Sequence, residues 1–123
     1  GVLTLRTAET PPAETVLREG ENSFGTMRLL VSRTPAAGAL ALRCGRGQVL
    51  TARCWRRDDR LALPDSRGER SVKRLLSERG IPPEKRETLP VLCVDGVLAA
   101  VWGVGVDRRF LPEASGEDIY YIM

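Results

Sequence analysis

The sequence predicts an α+β fold, a mainly antiparallel β-sandwich with a helical layer. Three observations lead there. Short apolar runs recur between Gly, Pro and Asp-Gly punctuation, the pattern of strands joined in hairpins. One stretch, Arg70 to Arg79, places apolar residues at helical spacing. The strand, helix, strand rhythm of a parallel sheet is missing. With 123 residues, 42% of them hydrophobic, the chain suffices for one modest core, so a single domain over 1–123 is expected.

From the N-terminal end, Gly1 to Arg6 alternates like a short strand, with Val2 and Leu3 as a docked edge, and Thr10 to Ala13 carries a Pro-Pro break. Ser23 to Arg33 is rich in strand formers and reads as one strand, closed by Pro35 and Gly38. Ala39 to Cys44 and Val49 to Trp55 flank Gly45, Arg46 and Gly47, which predicts a β-hairpin. In its second arm, Leu50, Ala52 and Cys54 point one way and Thr51, Arg53 and Trp55 the other, so Arg53 is expected on the more exposed face.

Arg56 to Gly68 is polar and broken by Pro64 and Gly68, as in an extended loop that carries function. The helix comes next, with Val72, Leu75 and Leu76 on one face and Arg70, Lys73 and Arg74 on the opposite arc. Gly80 ends it, because glycine accepts the left-handed cap, and Pro82-Pro83 opens a new turn before a short helix over Glu84 to Thr88. Leu89 to Val94, Asp95-Gly96 and Val97 to Trp102 form an apolar strand, a type I′ turn signal and a second apolar strand. Gly103 and Gly105 loosen the segment before Arg108 and Arg109, and Ile119 to Met123 has the content of a terminal strand.

Composition narrows the chemistry. Histidine is absent, which removes the commonest general base and the commonest nitrogen ligand for metals. Cys44, Cys54 and Cys93 are odd in number and widely spaced, which suggests neither a disulfide framework nor a CxxC pair. Cys54 beside Arg53 and Arg56 lacks the base that accompanies a nucleophile and reads as a small core residue. No apolar run approaches the roughly 18 residues of a membrane helix, and the first residues lack a signal-peptide pattern. A cytoplasmic protein with no membrane partner is expected.

The net charge of +3 is small but concentrated. Between Arg53 and Glu87, eleven Lys and Arg face seven Asp and Glu, an excess of four, so the rest of the chain sums to −1. Such a cluster suits a polyanion. Some of it reads equally as surface ion pairs, Asp59 with Arg60 and Glu69 with Lys73, worth about 0.3 to 0.5 kcal/mol each. Trp55 and Trp102 end apolar strands and read as packing residues ahead of base-stacking ones.

The order of strand, Arg56-Arg57-Asp58-Asp59-Arg60, loop, basic helix, Gly80-Ile81-Pro82-Pro83, Arg86, Leu89-Pro90 and an Asp-Gly hairpin ending in Trp102-Gly103 resembles the C-terminal domain of bacterial tRNA(Ile)-lysidine synthetase, of the PP-loop ATPase family. Asp59 and Arg60 fill that family's Asp-Arg pair, Lys73 and Arg74 its basic helix start, and Pro82, Pro83, Arg86 and Pro90 its proline pattern. Asp58 stands where glycine is usual, Ser71 replaces a lysine, and Glu84 and Thr88 stand at positions more often aromatic and basic. The matching core is residues 49–110, with 1–48 a β-rich lead-in.

The resemblance implies a sandwich shared with the phenylalanyl-tRNA synthetase β-subunit, and a parent ligase that attaches lysine to the anticodon cytidine of a minor isoleucine tRNA. ATP with magnesium and lysine would belong to a catalytic N-terminal domain, whose Ser-Gly-Gly-x-Asp-Ser loop is not found in these residues. The domain itself would need no cofactor and no metal. Its implied partners are tRNA(Ile) with a CAU anticodon, gripped near the acceptor stem, and that catalytic domain of the same chain. The expected ridge is Arg57 and Arg60 from the loop, Arg70, Lys73 and Arg74 from the helix and Arg86 after the prolines, flanked by Arg53. The competing reading is a protein interaction or dimerisation module with a basic surface, self-associating through the apolar strand near Val97 to Val101 as a homodimer.

Overall fold

The computed structural model describes residues 13–112 and 118–123. The strand expected at Gly1 to Arg6, with its Val2-Leu3 edge, and the Pro11-Pro12 break lie outside them. Among the described residues the chain runs β1 (Thr15–Leu17), β2 (Gly20–Phe24), β3 (Met27–Ser32), β4 (Leu40–Arg43), β5 (Leu50–Cys54), β6 (Arg60–Leu61) and β7 (Arg70–Ser71). Helices α1 (Val72–Glu78) and α2 (Pro83–Arg86) come next, then β8 (Pro90–Val94), β9 (Val97–Val101), β10 (Gly105–Val106), a 3-10 turn (Arg108–Phe110) and β11 (Ile119–Ile122).

The strands form a sheet in the order β1-β5-β8-β9-β10, a second in the order β2-β3-β11-β4, and a small β6-β7 ribbon. Every strand pairing among the described residues is antiparallel. Two cores result. Leu17, Phe24, Leu29, Val31, Leu42, Leu50, Leu92 and Ile122 fill the space between the two large sheets. Leu61, Val72, Leu75, Leu76, Val91, Cys93, Leu98 and Val101 fill the space between the first sheet and α1 with the β6-β7 ribbon.

Strand β8 shows how the sequence builds this. All five of its residues are buried, because the period of two sends Leu92 and Val94 into one core and Val91 and Cys93 into the other. In β9 the register shifts opposite Leu92 and Cys93. The extra residue lets Ala99 and Ala100 both face the inter-sheet core while Leu98 and Val101 face the helix. Asp95 (φ 50) and Gly96 (φ 81) make the predicted type I′ turn.

Helix α1 has seven residues, too few to persist alone, so the burial of Val72, Leu75 and Leu76 holds it. Ser71 caps its start through Oγ, which accepts from the Arg74 amide, and Gly80 (φ 70) ends it.

Five expectations are corrected. Ser23 to Arg33 is two strands, because Gly25 (φ 60) turns the chain between Phe24 and Met27 and the two halves pair as a hairpin. The runs Ala39 to Cys44 and Val49 to Trp55 are not a hairpin: β4 pairs with β11 and β5 with β1 and β8, in opposite sheets. The turn between them, closed by the Gln48 amide on the Gly45 carbonyl, passes the chain from one sheet to the other. Arg70 lies on β7 rather than in the helix. The loop from Arg56 to Gly68 contains β6, and Leu61, Ala62 and Leu63 within it are buried. The second short helix begins at Pro83 and ends at Arg86.

Candidate nucleic-acid interface

The β6-β7 ribbon pairs Arg60 with Ser71 and Leu61 with Arg70, and α1 leaves β7 directly. Two strands and a helix therefore share one bend, with Leu61 and Val72 buried beneath it and the charged neighbours outside. The result is an open groove of about 710 Å³ lined by Arg60, Glu69, Arg70, Ser71, Lys73, Arg74, Ser77 and Arg86. Five of the seven predicted cations, Arg60, Arg70, Lys73, Arg74 and Arg86, thus come together, although they span 27 positions of sequence from Arg60 to Arg86.

Each is set differently. Lys73 and Arg74 project from the exposed arc of α1. Arg86 is half-buried, and its Nε donates to the Ile81 carbonyl at 2.7 Å, which fixes the guanidinium beside the Pro-Pro turn. Arg70 is ion-paired with Glu78. Arg57 is exposed on the turn closed by the Asp59 amide on the Arg56 carbonyl, beside the groove in sequence but not among its lining residues.

Arg53 is placed otherwise than expected. Its strand face is the one covered by the second core, not solvent, and its side chain is only 13% exposed. The guanidinium grips Asp59 with both nitrogens at 2.9 Å. Burial pushes the Asp59 carboxyl upward, but hydrogen bonds from Arg53 and the Arg56 amide outweigh it and hold the group below its ordinary value. Asp59 therefore pairs with Arg53, six residues before it, and not with Arg60.

Sequence reasoning missed the polar lining and the loop's anchor. Ser77 lies one helical turn from Lys73 and Arg74, so the helical period could have found it. Asp107 carried no such signal. It is fully buried, accepts from the Ala62 amide at 3.0 Å and from the Arg109 amide and guanidinium, and so clamps the start of the 62–68 loop to the sheet. Arg108 adds donations to the Ser66 and Gly68 carbonyls. Burial raises the Asp107 pKa, but the hydrogen bonds from Arg109 and Ala62 prevail and keep it below the ordinary value.

Cys44 and Cys93 are buried, and desolvation raises both thiols above their ordinary value, the reverse of an activated nucleophile. Cys54 is raised for the same reason, with its Sγ 3.2 Å from the Glu87 carbonyl. Trp55 packs against the helix-side core and Trp102 against the inter-sheet core. In Val97 to Val101, the strand offered for self-association, Leu98 to Val101 are buried and Val97 is exposed. Glu69 is the carboxylate among the groove's lining residues. No helix of the described residues is long and apolar enough to cross a membrane.

Comparison with known proteins gives this arrangement a context. The family model for the TilS substrate C-terminal domain matches residues 50–121. A tRNA(Ile)-lysidine synthase of Azoarcus sp. is 37% identical over 91 residues, which cover 74% of this chain and 20% of that protein. Another, of Methylococcus capsulatus, is 41% identical over 54 residues, 44% of this chain and 12% of that protein. The chain thus spans about a fifth or less of the length of these curated relatives. The crystal structure of a TILS C-terminal domain matches with a TM-score of 0.60 at 21% identity, over 92% of this chain and 88% of that one, which shows the shared fold. The family model's match covers more than half of the chain, through β5, the basic groove and β11, and the chain belongs to the TilS substrate C-terminal domain family.

Proposed function

We propose that this chain is the RNA-holding domain of a tRNA(Ile)-lysidine synthase. It grips the acceptor-stem region of the minor isoleucine tRNA with the CAU anticodon. A catalytic N-terminal domain of the same polypeptide uses ATP, magnesium and lysine to convert the anticodon cytidine to lysidine. The observation that carries this reading is the convergence of Arg60, Arg70, Lys73, Arg74 and Arg86 in one groove. Guanidinium forks and an ammonium facing one open concavity suit phosphate oxygens along a strand.

The lining also favours duplex over unpaired RNA. Recognition of splayed bases uses aromatic platforms, and no aromatic residue lines the groove. Trp55, Trp102, Phe110 and Tyr120 pack against the two cores, and Phe24 is buried within one. A duplex stem offers backbone and 2′-hydroxyls instead, which cations and the Ser71 and Ser77 hydroxyls can meet. On this reading the chain would share the sandwich of the phenylalanyl-tRNA synthetase β-subunit, another protein that handles tRNA.

The test is a titration of the chain with an acceptor-stem minihelix of the minor isoleucine tRNA and with a control minihelix, across salt. Binding should weaken steeply with salt and favour the isoleucine stem. Replacing Lys73 or Arg74 by Glu should weaken it and flatten the salt dependence by about one unit of slope per lost phosphate contact. Unchanged affinity in both variants sinks the proposal.

A further inference from the structure

Arg53 and Asp59 are the most enclosed ion pair among the described residues, with side chains 13% and 9% exposed, and Asp59 immediately precedes Arg60 of the groove. Asp59 binds in three directions at once. Its carboxylate takes both nitrogens of Arg53, from β5 of the central sheet, and the Arg56 amide at 2.7 Å. Its carbonyl accepts from the Val72 amide at 3.0 Å, the first residue of α1. Its amide donates to the Arg56 carbonyl at 3.0 Å, closing the turn that carries Arg57.

Consequently the turn with Arg57, the strand beginning at Arg60 and the helix carrying Lys73 and Arg74 are all referred to one residue, and that residue is tied to the rigid sheet by a two-pronged bond. A fork to a carboxylate fixes orientation as well as distance, because two parallel bonds forbid rotation.

We propose that Arg53 and Asp59 form a positioning pair for the RNA-binding groove. They touch no RNA, and they set the spacing between the cations of the turn and β6 on one side and those of α1 on the other, so that several phosphates are met at once. This rests on the reading of the groove as an RNA site. A purely structural pair would lower stability and leave the affinity of the folded protein alone. A positioning pair makes the cations on its two sides energetically dependent on each other.

The experiment is a double-mutant cycle on the whole chain, with a duplex RNA stem as ligand, at a temperature where circular dichroism shows each variant folded. Asp59→Asn keeps the shape but loses the carboxylate. The combined Arg53→Gln, Asp59→Asn variant removes both charges together and serves if the single change does not fold. Either should reduce duplex affinity about tenfold, a coupling within the usual range for groups in one network. In that background the further losses from Arg60→Gln and Lys73→Gln should shrink, and the salt slope should be shallower although no exposed cation is gone.

Folded variants that bind with unchanged affinity and slope, or losses that simply add to those of Arg60→Gln and Lys73→Gln, overturn the positioning role while wild-type binding leaves the RNA reading standing. Absence of salt-sensitive binding by the wild-type chain overturns both.

Discussion

The guanidinium of Arg70, at the start of the ribbon's second strand, is held by the carboxylate of Glu78 at the far end of α1. One of the cations lining the groove is therefore already occupied by the protein's own anion. An incoming phosphate competes with Glu78 for Arg70, whose charge the carboxylate already partly balances. Glu78→Gln frees Arg70 and should raise duplex RNA affinity about two- to fivefold, the worth of a partly exposed ion pair. Fluorescence titration at low salt measures it. The gain should vanish when Arg70 is also replaced, and an affinity unchanged by Glu78→Gln would show that Arg70 takes no part.

Acid should lower the stability of the protein through Asp59 and Asp107. Asp59 and Asp107 both have folded-state pKa values below the ordinary 3.8. Their contribution to stability is complete above that unfolded value, and it is lost as pH falls through the lower folded values. Urea midpoints at pH 6 and pH 3 should therefore differ in wild type. In Asp107→Asn the midpoint should be lower at pH 6, reflecting a stability loss of about 2 kcal/mol for one weakened buried network, and should fall less between the two pH values. Equal pH dependence in the two proteins would exclude Asp107 as a source of acid sensitivity.

Leu76 supports the groove from beneath. It is fully buried in the helix-side core, and α1 has no stability of its own to fall back on. Leu76→Ala should cost about 2 to 5 kcal/mol and should weaken RNA binding as well, because Lys73 and Arg74 ride on the helix it anchors. Leu92→Ala, in the inter-sheet core on the other side of the same sheet, should cost a similar amount while leaving the affinity of the folded fraction intact. Comparing denaturation midpoints with RNA affinities separates the two. Equal loss of affinity in both variants would mean that the groove depends on global stability and not on its own floor.

Local chemistry was legible wherever a few adjacent residues decide the backbone. Asp95-Gly96 specifies its turn because both positions need positive φ. Gly80 and the spacing of Val72, Leu75 and Leu76 specify the helix and its buried face. The charge excess between Arg53 and Glu87 marked the segment in which cations gather, and five of them line one groove.

Tertiary structure alone decided the rest. Ala39 to Cys44 and Val49 to Trp55 look like hairpin arms, yet each finds a better partner far away, β4 with β11 and β5 with β8. A strand's pattern says which face is apolar but not which other strand will cover it, since that depends on surface buried by the whole fold. Arg53 was misplaced for the same reason. Its alternation was right, but the face it shares became interior once α1 packed there, and a buried guanidinium must find a carboxylate. By itself the sequence determined turns, the helix and the charge; the folded sheet decided which cations line the groove and which hold the structure together, because burial, unlike periodicity, is a property of the whole chain.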